Sequence, residues 1–199
     1  AYFNQPSIAR WNLERFAESL IPLIDDNKDK AIEMATEVIN TFAEKYKKSW
    51  FEMMHKKLGL LGGNSKDENL IIDLLSWMHQ NKADYTNTFC FLMNENIQEN
   101  KIYQNQGFVS WKQQWQERLK LDDNSQEKSL KLMRSVNPLV IPRNHKVEEV
   151  LKKANNGDLN PFNDFLKVLE KPYEKQNKTS NYQFPAPPSE KKYQTFCGT

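Results

Sequence analysis

The chain has 199 residues, with 28 basic and 26 acidic side chains, and hydrophobic residues make up 38% of it. This length and apolar fraction predict one domain or slightly more with a real core, and they exclude wholesale disorder. A net charge of +2 with only five arginines argues against a dedicated nucleic-acid-binding protein, which concentrates basic side chains on one face.

Apolar spacing predicts helices from the start of the chain. Residues 8–24 carry apolar side chains at intervals of three and four, which is the period of one helix face. A longer helix should carry one apolar stripe over residues 31–54 and end near Gly59. Its lysines are expected on a solvated helix face, with a phosphate-binding surface as the alternative: Lys45, Lys47, Lys48, Lys56 and Lys57.

Capping patterns predict the next helices. Ser65 and Glu68 have the spacing of a capping box ahead of an apolar run over residues 70–78. Asp84 is placed to cap a further helix that contains Phe89. Trp111 and Trp115 are four residues apart, which indicates a buried core stripe, with ligand stacking as the alternative.

The last third of the chain changes character twice. Pro138 and Pro142 forbid a regular helix between them, so this passage must be extended. Two helices should follow, one ending at Gly157 and one capped by Asn160 with Pro161 in its first turn. Beyond residue 171 the sequence is rich in proline and lysine, which predicts a tail that is extended or wrapped over the body.

No strand pattern of convincing length occurs, so the predicted class is all-α. We predict three parts: a helical region over residues 1–135, an extended Asn-Pro segment with a helical pair over 136–171, and a proline-rich tail over 172–199. No apolar run approaches the length of a membrane span and no signal peptide opens the chain, so we expect a soluble protein with neither membrane nor nucleic-acid partners. Because it begins with Ala1, we interpret it as a processed or excised piece.

No local pattern supplies a catalytic or metal site. The sequence lacks a GxGxxG or Walker loop, the HRD and DFG motifs of kinases and the GxSxG of hydrolases. Cys90 lies between two phenylalanines, which predicts a buried inert thiol rather than a nucleophile paired with His79. The paired carboxylates at 25–26 and 122–123 are expected to be solvated helix-end residues rather than acid–base groups or metal ligands.

Two motifs are unusual for an ordinary helical body. Aromatic, amide and proline residues are close together at the very start of the sequence, and the first candidate motif consists of Asn4, Gln5 and Pro6. The second candidate motif is the rigid extended passage with polar groups among apolar ones: Asn137, Pro138, Arg143 and Asn144. The structural alternative for the second motif is that Asn144 caps the next helix and Arg143 pairs with a carboxylate.

Cys197 is the third unusual feature. It is third from the C-terminus on a tail that is expected to be exposed, where a thiol is accessible to oxidation and exchange. It is therefore the redox candidate of the chain, and an incidental thiol is the alternative.

These places also carry a family resemblance. The stretch 2–9 followed by Trp11-Asn12-Leu13 resembles a hallmark of the selenoprotein O (SelO) family, as does 135–138 with Ile141 and Arg143-Asn144-His145. Shorter matches follow in the family's order: Asp73-Leu74-Leu75, Asp84-Tyr85-Thr86, Glu148, Ala154, Gly157-Asp158, Pro172-Tyr173, Pro187-Pro188 and Cys197. The resemblance spans nearly the whole chain.

The resemblance implies a protein-kinase-like pseudokinase that binds ATP in an inverted orientation and transfers AMP to Ser, Thr or Tyr hydroxyls of proteins, with magnesium or manganese. The family's ATP-binding and metal-binding motifs lie upstream of the Asn-Gln-Pro stretch. The chain is therefore expected to be the helical part of a kinase-like C-lobe with a helical extension and tail. Alone it should be inactive and bind no cofactor. Its expected partners are the upstream kinase-like region and protein substrates, in the bacterial cytoplasm or in mitochondria of eukaryotes.

Two departures from the family pattern are visible. The chain ends Cys197-Gly198-Thr199 where members commonly end Cys-Ser-Ser or carry selenocysteine, and Cys90 occupies a position where arginine is usual. A stand-alone, non-catalytic helical interaction module remains the alternative function, and the reading frame that precedes Ala1 would distinguish the two.

Overall fold

The computed structural model describes residues 4–95, 100–121 and 126–186. All regular structure in these ranges is helical, which confirms the all-α class. The helices are α1 (Gln5–Ile24), α2 (Lys28–Asn40), α3 (Phe42–Lys57), α4 (Asp67–Asn81), α5 (Tyr85–Leu92), a 3-10 helix (Asn100–Gln104), α6 (Gln106–Leu121), α7 (Gln126–Val136), α8 (Asn144–Asn155), α9 (Asn160–Glu170) and α10 (Thr179–Tyr182). None of the helices in this part of the chain is long and apolar enough to cross a bilayer.

The chain divides into two compact units, residues 1–54 and residues 55–199, with the boundary inside α3. In the first unit, α1 packs along α2. Asn27 caps α2, because its side-chain oxygen accepts hydrogen bonds from the backbone N–H groups of Asp29 and Lys30. Asp25, one of the paired carboxylates, accepts hydrogen bonds from Asn27 N and Lys30 Nζ at the end of α1, which matches the predicted helix-end role. The three-part division predicted above stays a prediction.

The single long helix predicted over residues 31–54 is wrong, because the helix is divided at Thr41. The Thr41 hydroxyl donates to the carbonyl of Val38 at 2.7 Å, and the Thr41 N–H bonds the same oxygen at 3.1 Å. A threonine side chain that bonds back to the preceding turn competes with the regular helical pattern. The result is one tight turn between α2 and α3.

Gly59 ends α3 as predicted. Its φ of +71° is in the left-handed region, and a Cβ there would meet Met133 Cγ and Ser129 O at 3.0 Å, so only glycine fits without a shift. The N–H of Leu60 reaches back to the carbonyl of His55 at 2.9 Å, which is the bond expected where glycine ends a helix.

The core of the second unit is built from large apolar side chains of α4, α5 and α6. Trp111 and Trp115 are 4% and 5% exposed, which confirms the predicted core stripe. Their indole N–H groups donate to the carbonyls of Leu70 at 2.8 Å and Leu58 at 2.9 Å. Each tryptophan therefore fills the core and also satisfies a buried backbone acceptor.

Three predicted helix starts need correction. The capping box predicted for Ser65 and Glu68 is wrong. The pair that forms is Asn64 with Asp67: the Asn64 N–H donates to Asp67 Oδ2 and the Lys66 N–H donates to Asn64 Oδ1, both at 2.9 Å.

Asn160 is the second case. It does not cap α9 but begins it, and its own N–H donates to Asp158 Oδ1 at 3.1 Å. Pro161 is in the first turn as predicted.

Asn144 is the third case. It begins α8, and Arg143 occupies the cap position without a capping side-chain bond. In each case the cap position is one residue away from the predicted one, at Lys66, Leu159 and Arg143, and periodicity alone does not resolve such a shift.

A buried ion pair ties α6 to the start of α4. Arg118 Nε donates to Asp67 Oδ1 at 2.6 Å and its Nη2 donates to Oδ2 at 3.1 Å and to the carbonyl of Gly62 at 2.8 Å. The two side chains are 8% and 2% exposed. A pair this deeply buried fixes the relative position of the two helices, because neither charge tolerates the loss of its partner.

We expect Arg118→Met to lower the free energy of unfolding by about 3–5 kcal/mol, because it leaves the Asp67 carboxylate buried without its partner. Urea denaturation of the 199-residue chain followed by circular dichroism measures this loss. The matched control is Lys120→Met on the same helix, whose side chain is exposed and should change stability by no more than about 0.5 kcal/mol. Equal effects of the two substitutions would contradict the structural role of the pair.

Candidate functional site

The Asn-Pro segment, residues 137–143, has no helical structure, as the two prolines predicted, and it carries the second candidate motif. It lies within the second unit between the end of α7 and the start of α8. Pro138 and Pro142 have no N–H to donate, so the segment cannot form the hydrogen bonds of a helix. Its other backbone groups therefore need partners from elsewhere in the chain.

Asn137 and Lys57 form a reciprocal pair across 80 residues of sequence. Asn137 Nδ2 donates to the carbonyl of Lys57 at 2.9 Å, and Lys57 Nζ donates to Asn137 Oδ1 at 3.0 Å. The Asn137 N–H also donates to the carbonyl of Met133 at 2.9 Å. Asn137 is 1% exposed, and these hydrogen bonds offset the free-energy cost of burying its polar groups.

Lys57 is held in an environment unlike that of the other lysines on α3. Its Nζ lies 4.8 Å from the ring centroid of Phe89 and 5.4 Å from that of Tyr85. Burial lowers the pKa of Lys57, and the nearby Cys90 opposes that shift. The prediction of a solvated lysine face is therefore wrong for Lys57, whereas Lys45, Lys47, Lys48 and Lys56 are exposed.

Arg143 pairs with a carboxylate, as the structural alternative predicted, and the carboxylate is that of Asp84. Arg143 Nη1 and Nη2 donate to the two oxygens of Asp84 at 2.7 and 2.9 Å, and Nη2 also reaches Asn87 Oδ1 at 3.3 Å. Asp84 caps α5 as well, accepting from the Asn87 N–H at 2.8 Å. One carboxylate thus starts a helix and anchors the far end of the Asn-Pro segment.

Cys90 contacts the same segment from α5. Its Sγ donates to the carbonyl of Pro138 at 3.6 Å, and the residue is fully buried. Burial, followed by the charges of Glu95 and Asp84, raises the pKa of the Cys90 thiol to about 12. The prediction of a buried inert thiol is confirmed, because at this pKa almost no reactive thiolate exists near neutral pH.

Residues 172–183 close over the segment. The N–H of Leu139 donates to the carbonyl of Pro172 at 2.7 Å, and Gln183 Nε2 donates to the carbonyl of Leu139 at 3.1 Å. Asn87 Nδ2 in turn donates to the carbonyl of Gln183 at 3.1 Å. The first part of the predicted tail is therefore wrapped over the body, and it includes the short helix α10.

The remaining candidates lie elsewhere. Asn4 precedes α1 without a side-chain capping bond, Gln5 begins the helix and Pro6 lies in its first turn, all within the first unit. Cys197 lies outside the described residues, as do the carboxylates at 122–123, residues 2–3 and the Pro187-Pro188 pair.

Sequence reasoning missed three members of this network: Lys57, Asn87 and Gln183. All three are polar side chains whose partners come from distant parts of the chain, so no local spacing marks them. The only signal in the sequence was the two prolines. They prevent residues 137–143 from pairing their backbone groups as a helix does, so those groups need partners elsewhere, but the prolines do not identify these partners.

We expect Asn137→Ala to lower the free energy of unfolding by about 2–4 kcal/mol, because it leaves both the carbonyl and the ammonium of Lys57 without these bonds. Lys57→Met should cost about 1–3 kcal/mol for the same reason. Urea denaturation measures both losses, and the control is Lys56→Met, an exposed neighbour that should be nearly neutral.

The combined variant Lys57→Met/Asn137→Ala tests whether the two residues act as a pair. Its loss should be smaller than the sum of the single losses by about 1 kcal/mol or more. Strict additivity would show that the two side chains do not depend on each other.

Comparison of the sequence with known proteins identifies its family. Residues 1–170 match the family described as "Protein adenylyltransferase SelO". The chain is 54% identical over 199 residues to "Protein nucleotidyltransferase YdiU" of Pelagibacter ubique, and 47% identical over 200 residues to the protein of the same name from Alcanivorax borkumensis. Each alignment covers 100% of this chain and 41% of the relative, so the chain spans about two fifths of the length of these curated relatives. The chain belongs to the SelO family of protein adenylyltransferases.

Proposed function

We propose that this chain is the C-terminal helical region of a SelO-type protein adenylyltransferase, an enzyme that transfers AMP from ATP to Ser, Thr or Tyr hydroxyls of proteins. The observation that carries the proposal is the match over the whole chain to relatives more than twice as long. This partial coverage favours an enzyme region over a stand-alone interaction module.

Within that enzyme the proposed work of the chain is scaffolding. Transfer of a phosphoryl or adenylyl group depends mainly on positioning and electrostatics, so a rigid support contributes without touching the nucleotide. The support for this role is the set of long-range bonds that hold the Asn-Pro segment: Asn137 exchanges two hydrogen bonds with Lys57, and Arg143 donates two to the carboxylate of Asp84.

We assign no ATP or metal contact to this chain. The residues that the structure describes contain no group of three or more His, Cys, Asp or Glu side chains placed to hold a metal ion. The sequence contains no glycine-rich phosphate loop. In this proposal ATP and magnesium or manganese bind to the part of the enzyme outside residues 1–199.

We expect the 199-residue chain to show no thermal shift with millimolar Mg-ATP, whereas the full-length protein should be stabilised, since a ligand stabilises only the form that binds it. Differential scanning fluorimetry measures both. Transfer of labelled AMP from ATP to protein should require the full-length enzyme. A clear thermal shift of the 199-residue chain alone would overturn the assignment of the nucleotide site to the missing part.

The proposed role of Cys197 is redox control. Its thiol would form a reversible disulfide with a cysteine outside residues 1–199, each sulfur giving up a proton and one electron to an oxidant such as oxidised glutathione. Cys90 is a poor partner because it is fully buried and its thiol pKa is raised to about 12.

Peptide mapping of the full-length protein after treatment with oxidised glutathione should find Cys197 in a disulfide and Cys90 as an unmodified thiol. Cys197→Ser should abolish that disulfide. Cys90→Ser is the matched control and should leave the disulfide in place. If Cys197 stays a free thiol under these conditions, the redox role fails while the enzyme proposal stands.

A further inference from the structure

A groove with a volume of about 600 Å³ lies between α4 and α6, within the second unit. Helix α4 contributes Leu70 and Asp73 to its walls, and these two residues lie three positions apart on one face of the helix. Helix α6 contributes Gln114, Glu117 and Leu121, which recur at intervals of three and four. These side chains take no part in the hydrogen bonds that hold the Asn-Pro segment, so the groove has a separate role.

The floor of the groove is fixed by buried contacts. Leu70 is 7% exposed, and its carbonyl accepts the indole N–H of Trp111 at 2.8 Å. The buried ion pair of Asp67 and Arg118 lies on the same floor. Residues held in this way need no rearrangement when a ligand enters, so the groove is pre-formed, as binding clefts usually are.

The charges that line the groove leave a negative surplus. Asp67 and Arg118 neutralise each other, which leaves the carboxylates of Asp73 and Glu117 against one ammonium, that of Lys66. These three residues are exposed, and none of them forms an ion pair with another residue in the described ranges. Exposed carboxylates without a basic partner attract a cationic group from outside.

The groove also offers apolar surface and backbone-like amides. Leu121 is 71% exposed at its rim, above Leu70 on the floor. Lysine and arginine side chains combine an apolar stem with a charged end, so both parts find contacts here, whereas a hydrated metal ion would use only the carboxylates. The side-chain amides of Asn69 and Gln114 offer donors and acceptors to an extended peptide backbone.

We propose that the groove between α4 and α6 docks a segment of the protein substrate that carries lysine or arginine side chains. This inference rests on the proposed function, which makes a protein the acceptor of AMP. Each exposed ion pair adds only a small binding free energy, so the docking is weak. It selects among substrates by lowering KM rather than by raising kcat, because the docked segment is bound equally before and during the transfer.

Binding of a basic peptide to the full-length protein tests the docking. The probe is a fluorescein-labelled peptide of alternating arginine and leucine, and the reference peptide has glutamate in place of arginine. Fluorescence anisotropy compares the wild type with Asp73→Asn/Glu117→Gln and with Lys66→Gln. The matched control is Glu127→Gln/Glu170→Gln, which removes two exposed carboxylates that lie outside the groove.

We expect Asp73→Asn/Glu117→Gln to raise the Kd of the arginine peptide by about threefold or more, and the control double variant to change it by less than about 1.5-fold. Lys66→Gln should lower the Kd by about twofold, because it removes the one uncompensated cation of the groove. This opposite sign makes the test independent of any general loss of fold. Added salt should weaken binding to the wild type.

The same Kd for the wild type and Asp73→Asn/Glu117→Gln would overturn the docking, and so would binding of the glutamate peptide as tight as that of the arginine peptide. Labelled-AMP transfer to protein by the wild-type full-length enzyme is measured separately. Transfer without groove-dependent peptide binding overturns the docking alone. Groove-dependent binding without transfer overturns the proposed function and, with it, the assignment of the docked segment to a substrate.

Discussion

The second unit depends on how a non-helical segment with two prolines is held inside a helical protein. A helix satisfies its own backbone groups, whereas residues 137–143 cannot, and Pro138 and Pro142 bring no donor at all. The reciprocal bonds between Asn137 and Lys57 solve the problem at the point where α7 ends. An asparagine suits this position because one short side chain offers both a donor and an acceptor, and Lys57 presents the matching carbonyl and ammonium.

The other contacts of the segment follow from that placement. Once Asn137 is fixed, Leu139 is positioned between Pro172 and Gln183, and Arg143 reaches the carboxylate of Asp84. Buried polar contacts of this kind add little net stability compared with apolar packing of the same volume, but each one is expensive to break. Their effect is to select one arrangement of α5, the Asn-Pro segment and residues 172–183 over others that bury similar apolar area.

The sequence predicted the helices well because apolar side chains recur with the helical period, and in the second unit they form buried stripes, as Trp111 and Trp115 do on α6. It also predicted the break in helical structure from the two prolines, and an ion pair for Arg143. It failed where a residue's role is set by a distant partner: Lys57 has the local context of a solvated lysine, and its contact with Asn137 exists only in the folded chain. It failed as well at helix boundaries: the Thr41 hydroxyl bonds back to the preceding turn where α2 ends, and Asn144 and Asn160 begin their helices instead of capping them.

The residue at position 90 affects the balance of charges in this network. The family resemblance places an arginine at that position, and here Cys90 lies against the carbonyl of Pro138, within electrostatic range of Lys57 and Arg143. Burial already lowers the pKa of Lys57, and a guanidinium beside it would lower that pKa further, because like charges disfavour each other's charged form. Asp84 is committed to Arg143 through both of its oxygens, so it has little capacity left for a third cation. An uncharged thiol at position 90 is therefore compatible with a charged Lys57 that donates to Asn137.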